Sequence, residues 1–316
     1  MEYLGLIYIS LLDLLFCLVV GDSTLWSQWW SYDGISGPEY WGLLNHEWSL
    51  CSHGRYQSPV DITPKNLVYD PNLQPIRMDR RNVDGMLYNT GYDITFRLNM
   101  TSQPHFSFTS GPLSYTYSIY EIKLHFGSMD QLGSEHTVSG RPFPAEIQIL
   151  GFNSDLYDTY NQAIMKPHGI AAMAMFGIIR DEENPDFELL VQATKSTRFK
   201  DDHISIADFS LLGLIPPSEF YITYEGSLTQ PNCMETVTWI IFNKPLYITK
   251  DQLFTLRQLH QAPEGSPQLL MENNFRPPLP INRRTIRTNI TPKTDENNCG
   301  MKKITFYEVN ERYRFG

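Results

Sequence analysis

The 316-residue sequence lacks the short motifs that identify the commonest catalytic chemistries. It has four cysteines but no C-x-x-C pair, and it has no HExxH, Walker loop or G-x-S-x-G element. Basic residues are also scarce, with 25 Lys and Arg against 35 Asp and Glu, giving a formal net charge of −10. Phosphate contacts require a basic face, so a general nucleic-acid binder is excluded as the main function.

The residues that are abundant favour a single β-rich domain. Aromatic residues make up 13% of the chain, and the 21 prolines and 20 glycines interrupt it every few residues. Frequent turn residues are typical of many short strands. We therefore expect one large globular domain with short extensions at both ends.

The first residues resemble a secretory signal peptide. An apolar run from Leu4 to Val20 precedes Gly21, although Glu2 and Asp13 are unusual in such a segment. We predict a signal peptide over residues 1–21 and a secreted, extracellular protein. A membrane anchor is the alternative, but the run falls short of the roughly 20 apolar residues that a span needs.

The predicted mature chain comprises a domain over residues 22–287 and a basic C-terminal extension over residues 288–316. From Arg276 onward there are nine Lys or Arg and four acidic residues, which indicates either an interaction surface or a solvated extension. The N-x-[ST] acceptors Asn99 and Asn289 are predicted glycosylation sites and fit the extracellular compartment.

The cysteine count indicates an unpaired thiol. Cys17 lies in the predicted signal peptide, which leaves Cys51, Cys233 and Cys299 in the mature chain. An odd number implies one disulfide and one remaining thiol that is free or bonded to another chain.

Two strand pairs and two helices are predicted from periodicity. Ile122, Leu124 and Phe126 alternate with Lys123 and His125, which places Lys123 and His125 on one face of a strand. The residues 147–149 belong to a partner strand. We expect a further strand pair over residues 220–224 and 237–242, and peripheral helices over residues 204–212 and 250–259, the second capped by Thr249.

The same region carries a resemblance to a known family. Five ordered blocks resemble the active-site core of the α-carbonic anhydrases: residues 57–62, 121–127 with 133–138 and 145–148, 224–229, 238–240, and 274–277. The resemblance covers about residues 29–287. It implies a single α+β domain built on a large, twisted, mostly antiparallel sheet with a conical cavity.

The resemblance also assigns three zinc-ligand positions. In the family two ligands come from an H-x-H strand and the third follows an Ala-Glu pair, and here these positions hold Lys123, His125 and Gln148. A lysine must lose its proton to coordinate, which costs about 4.6 kcal/mol at pH 7. A glutamine carbonyl is a poor substitute for imidazole at zinc. No metal or other cofactor is therefore expected.

Other family positions are kept only in part. Thr229 matches the hydroxyl that orients the zinc-bound hydroxide, and Glu135 matches its carboxylate partner, so without zinc we expect them to form a buried hydrogen-bonded pair. Glu146 is expected to pair with Gln148 or Lys123. The proton-shuttle position holds Tyr92, whose phenol titrates near 10 and relays protons poorly at pH 7.

The resemblance implies the disulfide. Secreted carbonic anhydrases carry theirs where Cys51 and Cys233 lie, and the long loop would contribute about 4 to 5 kcal/mol in the chain-entropy model. Cys299 then remains and is expected to be exposed. It is either an inert thiol or the site of a disulfide-linked complex with a receptor or a second copy.

Within the family, the sequence is most similar to the secreted carbonic anhydrase-related proteins X and XI, which are regarded as acatalytic and associated with neurexin binding. The resemblance thus implies a binding partner of a cell-surface receptor, with neurexin as the candidate. The alternatives are a weak or altered-metal hydratase or esterase using His125 and carboxylates, and capture of a small anion by Lys123.

Overall fold

A computed structural model describes residues 29–101, 105–267 and 269–291 of the protein. The strands of this part are β1 (Asp61–Ile62), β2 (Val68–Tyr69), β3 (Ile76–Met78), β4 (Val83–Asn89), β5 (Ile94–Leu98), β6 (Ser107–Ser110), β7 (Tyr117–Phe126), β8 (Thr137–Val138), β9 (Ala145–Asn153), β10 (Ile170–Ile179), β11 (His203–Phe209), β12 (Tyr221–Gly226), β13 (Val237–Phe242), β14 (Leu246–Ile248) and β15 (Arg287–Thr288). Its α-helices are α1 (Trp41–Leu44), α2 (Leu50–His53), α3 (Tyr160–Ala163), α4 (Pro185–Thr194) and α5 (Lys250–Leu256).

One mixed sheet dominates the described residues. Its 13 strands include the path β11-β4-β5-β7-β9-β10-β13-β12-β15-β2, with β14 beside β10 and the β3-β6 pair beside β7. Most neighbours are antiparallel, whereas β10-β13, β10-β14 and β15-β2 are parallel. A separate parallel pair joins β1 and β8. The expected α+β domain with a large, mostly antiparallel sheet is confirmed.

The sheet buries side chains on both of its faces, as the central strand β7 shows. Strand β7 directs Ile122, Leu124 and Phe126 into the larger apolar core. Its alternate residues Lys123 and His125 are buried on the opposite face. The alternation read from the sequence therefore separates the apolar core from a polar site.

The structure confirms both predicted strand pairs and one predicted helix. Strands β7 and β9 pair antiparallel, as do β12 and β13. Helix α5 begins after Thr249, whose hydroxyl accepts the Gln252 N–H in a capping box.

The helix predicted over residues 204–212 is wrong. Residues His203–Phe209 form edge strand β11, followed by a 3-10 turn over Leu211–Leu214. Ile204 and Ile206 pack against the core while the intervening Ser205 is exposed, so the period is that of a strand. Helix α4 was not expected, although Asn184 caps it and Pro185 occupies its first turn.

A disulfide and an aromatic cluster fasten the N-terminal segment to the domain. Cys51 and Cys233 are joined, in agreement with the pairing that the resemblance implied. They pack with Trp41, and the Trp30 ring lies 5.3 Å from the Trp41 ring. The predicted signal peptide, Cys299 and nearly all of the C-terminal extension lie outside the described residues. None of the described helices is long and apolar enough to span a membrane.

Candidate functional site

Four polar side chains form a square on the polar face of strands β7 and β9. In the antiparallel register Lys123 lies opposite Gln148, and His125 lies opposite Glu146. Cross-strand partners point to the same face of a sheet. The strand register therefore brings the sequence-predicted residues Lys123, His125 and Gln148 together.

Lys123 is held as a buried cation. Its Nζ lies 3.1 Å from Asp93 Oδ2 and 3.6 Å from Glu121 Oε1. Burial opposes the charge, but the two carboxylates outweigh it and raise the pKa of Lys123 above its ordinary value. The ammonium is therefore the species present at neutral pH.

Asp93 is the main counter-ion and is held by several donors. Its carboxylate accepts hydrogen bonds from the Thr90 and Thr95 hydroxyls at 2.8 and 2.7 Å, and from the Gln230 amide at 2.5 Å. Burial would raise its pKa, yet the Lys123 charge and these donors hold the pKa well below the usual range. Asp93 is therefore ionised at neutral pH.

His125 presents one ring nitrogen without a partner. Its Nδ1 lies 2.7 Å from the Asn274 carbonyl oxygen, which can only accept, so Nδ1 carries the hydrogen. Its Nε2 is fully buried and has no hydrogen-bond partner among the described residues. In the neutral ring this nitrogen carries the lone pair, buried on the polar face of β7.

Gln148 bridges two buried carboxylates. Its Nε2 donates to Glu135 Oε2 at 2.7 Å and to Glu146 Oε1 at 2.9 Å. Because carboxylates only accept, these contacts fix the amide with its NH₂ group towards them. Of the two partners expected for Glu146, the structure shows Gln148.

The expected Glu135–Thr229 pair is not formed in the described chain. Glu135 accepts instead from Gln148 and, at 3.0 Å, from the Arg276 N–H. Thr229 lines a cavity of about 220 Å³ together with Lys123 and Gln148. The Gln148 amide therefore contacts the carboxylate that was expected to accept from Thr229.

A second chain of buried polar groups begins at Glu146 of strand β9. Glu146 accepts from the main-chain N–H of His136 and lies 2.8 Å from His136 Nδ1. His136 Nε2 lies 2.7 Å from the Tyr224 hydroxyl, which donates to Ser58 Oγ at 2.9 Å. We call Glu146, His136, Tyr224 and Ser58 the histidine chain.

Tyr92 belongs to the aromatic cluster that also contains Trp30, Tyr32 and Trp41. Its ring stacks on Trp30 with centroids 4.0 Å apart, and burial raises its pKa. Nearby, Gln230 joins Asp93 to the Tyr32 hydroxyl at 3.1 Å. The position that the resemblance assigns to a proton shuttle therefore holds a stacked phenol.

The fold and the site place the protein among carbonic anhydrase-like domains, and the comparisons agree. The family model described as eukaryotic-type carbonic anhydrase matches residues 36–290. A Caenorhabditis elegans protein named "Putative carbonic anhydrase-like protein 2" is 38% identical over 279 residues, covering 87% of this chain and 81% of the relative. The chain belongs to the eukaryotic-type carbonic anhydrase family.

Three site residues were missed by sequence reasoning. Asp93 and Glu121 neutralise Lys123, and Asn274 orients His125. Glu121 could have been found, because it lies two residues before Lys123 on the same strand face. Asp93 gives no local signal. In the described ranges no group of three or more His, Cys, Asp or Glu side chains could hold a metal ion.

Proposed function

We propose that this chain is a secreted carbonic anhydrase-like protein that does not hydrate carbon dioxide and that binds a cell-surface receptor. The observation that carries the first part is the Lys123–Asp93 ion pair at 3.1 Å. It places a compensated cation at a position that the resemblance assigns to a zinc ligand.

The donor set does not fit a zinc centre. Zinc in this family needs three neutral imidazoles, and His125 Nε2 is the single lone pair of that kind on the polar face among the described residues. Lys123 is protonated, and Gln148 turns its NH₂ group towards the carboxylates. Deprotonating Lys123 at pH 7 would cost more than the roughly 4.6 kcal/mol estimated for an unperturbed lysine.

The test is a joint measurement of metal content and hydration rate. We expect elemental analysis of the full chain, purified without chelators, to find less than stoichiometric zinc. Stopped-flow hydration should equal the uncatalysed rate. One tightly held zinc per chain, or a catalysed rate that a carbonic anhydrase inhibitor abolishes, would contradict the proposal.

The observation that favours the alternative, a weak or altered-metal hydratase or esterase, is that His125 Nε2 has no hydrogen-bond partner within residues 29–101, 105–267 and 269–291. Its lone pair could join nearby carboxylates around another transition metal. Loading with cobalt or copper distinguishes the two. The alternative expects a metal-dependent activity that His125→Ala abolishes, whereas the first proposal expects none.

Capture of a small anion by Lys123 is less favoured by the geometry. The ammonium already has Asp93 and Glu121 as counter-ions, so an anion would have to compete with two buried carboxylates. Added chloride, bicarbonate or phosphate is therefore expected to leave Tm unchanged.

Secretion and receptor binding rest on the sequence and on the disulfide. Disulfides such as Cys51–Cys233 persist in oxidising compartments, which supports an extracellular location. The resemblance names neurexin as the receptor to test. Co-expression of the full chain with a neurexin ectodomain should give co-purification without reductant.

Cys299 provides a separate test of how such a complex is held. We propose that it forms a disulfide with the receptor, because it remains after the Cys51–Cys233 pair. Non-reducing gels should show an adduct that reductant removes and that Cys299→Ser abolishes. An adduct that persists in this variant would contradict the covalent link.

A further inference from the structure

The side-chain amides of the two N-x-[ST] asparagines differ in their exposure and in their hydrogen-bond partners. Asn99 is exposed just after strand β5, and its Oδ1 accepts the Thr101 N–H at 2.9 Å and the Thr101 hydroxyl at 2.6 Å. Asn289 is half-buried. Its Oδ1 accepts the Tyr221 N–H at 3.0 Å, and its Nδ2 donates to the Glu219 carbonyl at 2.8 Å.

The Asn289 contacts extend the sheet where strand β12 begins. Tyr221 is the first residue of β12, and the neighbouring strand β15 ends at Thr288. Strand β15 ends before it can pair with the Tyr221 N–H and the Glu219 carbonyl. The Asn289 side chain forms hydrogen bonds with both of these main-chain groups instead. Groups of this kind are costly to leave unpaired when they are shielded from water.

Glycosylation would remove this contact for a stereochemical reason. The Glu219 carbonyl and the Tyr221 N–H are two residues apart and contact both polar atoms of the Asn289 amide. Two partners this close together fit the edge of the amide that carries Oδ1 and the hydrogen syn to it. A glycosylated asparagine is a secondary amide, and its trans form places the sugar carbon at that syn position. The cis form of such an amide is strongly disfavoured.

We propose that Asn99 is the N-glycosylated residue of this chain and that Asn289 is a structural amide that stays unmodified in the folded protein. At Asn99 the amide is exposed, and two of its contacts come from its own sequon. The modification requires entry into the secretory pathway, so the inference rests on the proposed secretion.

The position of Asn99 has a consequence for receptor binding. Asn99 directly follows strand β5, and its main-chain N–H donates to the Asp84 carbonyl of strand β4 at 2.8 Å. A glycan at Asn99 therefore covers this end of strands β4 and β5, where we expect no receptor contact.

The test uses variants that remove each sequon without changing its asparagine. The full chain, with its own N-terminus or with a foreign secretion signal, is expressed in a eukaryotic secretory host. The secreted protein is then treated with peptide N-glycosidase. We expect one glycan, lost in Thr101→Ala and kept in Thr291→Ala. Peptide mass spectrometry should locate it at Asn99.

A structural role for Asn289 predicts a second difference. Asn289→Ala should lower Tm by about 2–4 °C or reduce secretion, whereas Thr291→Ala should do neither. A glycan on Asn289 of the secreted protein, or an unmodified Asn99 in it, would overturn the inference. Failure of the native N-terminus alone to direct secretion, with glycosylation at Asn99 behind the foreign signal, would instead overturn the proposed localisation.

Discussion

The polar site contains two networks, one built on ion pairs and one on a chain of hydrogen bonds. The ion cluster consists of Lys123, Asp93, Glu121 and Arg97, in which two cations face two carboxylates. The histidine chain defined above connects one carboxylate to an imidazole and two hydroxyls.

The difference distinguishes residues that support the sheet from residues at positions that the resemblance assigns to zinc ligands. The histidine chain ties β9, β12 and the residues around Ser58 together and needs no metal to be satisfied. The ion cluster includes Lys123, whose position the resemblance assigns to a zinc ligand, and there it holds a compensated ammonium. Supporting positions can therefore keep the family pattern for structural reasons while ligand positions change.

The largest expected change is a qualitative one, the gain of a zinc-binding site. Lys123→His with Gln148→His would supply two imidazoles beside the available Nε2 of His125, and Glu135 and Glu146 would be released to orient them. We expect stoichiometric zinc and, at 100 to 1,000 times Kd, about 3–4 kcal/mol of added stability.

Elemental analysis and thermal melts with and without zinc measure this gain. The matched control adds His125→Ala to the double variant and should lose the metal. A double variant that folds but takes up no zinc would show that the ion cluster has altered the cavity beyond the ligand positions.

The next largest effect is expected when a substitution removes one member of the ion cluster. Asp93→Ala leaves the Lys123 ammonium buried without its main counter-ion, and we expect a loss of about 3–5 kcal/mol in the free energy of unfolding. Lys123→Met should cost much less, because Thr90, Thr95 and Gln230 still donate to Asp93. Denaturant titration compares them, and equal losses would contradict this asymmetry.

Breaking the histidine chain should have a smaller effect. In Glu146→Gln an amide NH₂ group replaces an acceptor that serves His136 and Gln148, so we expect a loss of about 2–3 kcal/mol. Urea unfolding measures it. A loss larger than that of Asp93→Ala would reverse the ranking of the two networks.

Acid should act on both networks through their carboxylates. The pKa values of Asp93 and Glu146 are lowered on folding from 3.8 and 4.5. A depressed folded pKa gives stability that is complete above the unfolded value and is lost as pH falls below it. Wild-type stability should therefore fall more steeply than that of Asp93→Asn below about pH 5, and parallel curves would contradict this.

The smallest effect is expected at Thr229. No side-chain hydrogen bond of this residue is found in the described chain, and it lines the cavity. Thr229→Val should therefore change stability by less than about 0.5 kcal/mol. A larger loss in thermal melts would indicate that the hydroxyl serves one of the networks.

The sequence by itself determined the family, the central strands and the square of polar residues. Alternation around Lys123 and His125 identified β7 and its buried faces, because strand periodicity is a local property. The ordered motifs placed Gln148 beside them and implied the Cys51–Cys233 pair. The helix predicted over residues 204–212 is wrong, because Ile204 and Ile206 follow the period of a strand at the sheet edge.

Only the tertiary structure decided which groups neutralise the site. Thr95 pairs with Lys123 in the β5-β7 register, and this places Asp93 beside the ammonium from 30 residues upstream. The tertiary structure also decided the partner of Glu135. The Gln148 amide donates to this carboxylate, which lies 13 residues upstream and was expected to accept from Thr229. Register and loop closure set such contacts between distant segments, and neither is encoded in a local pattern.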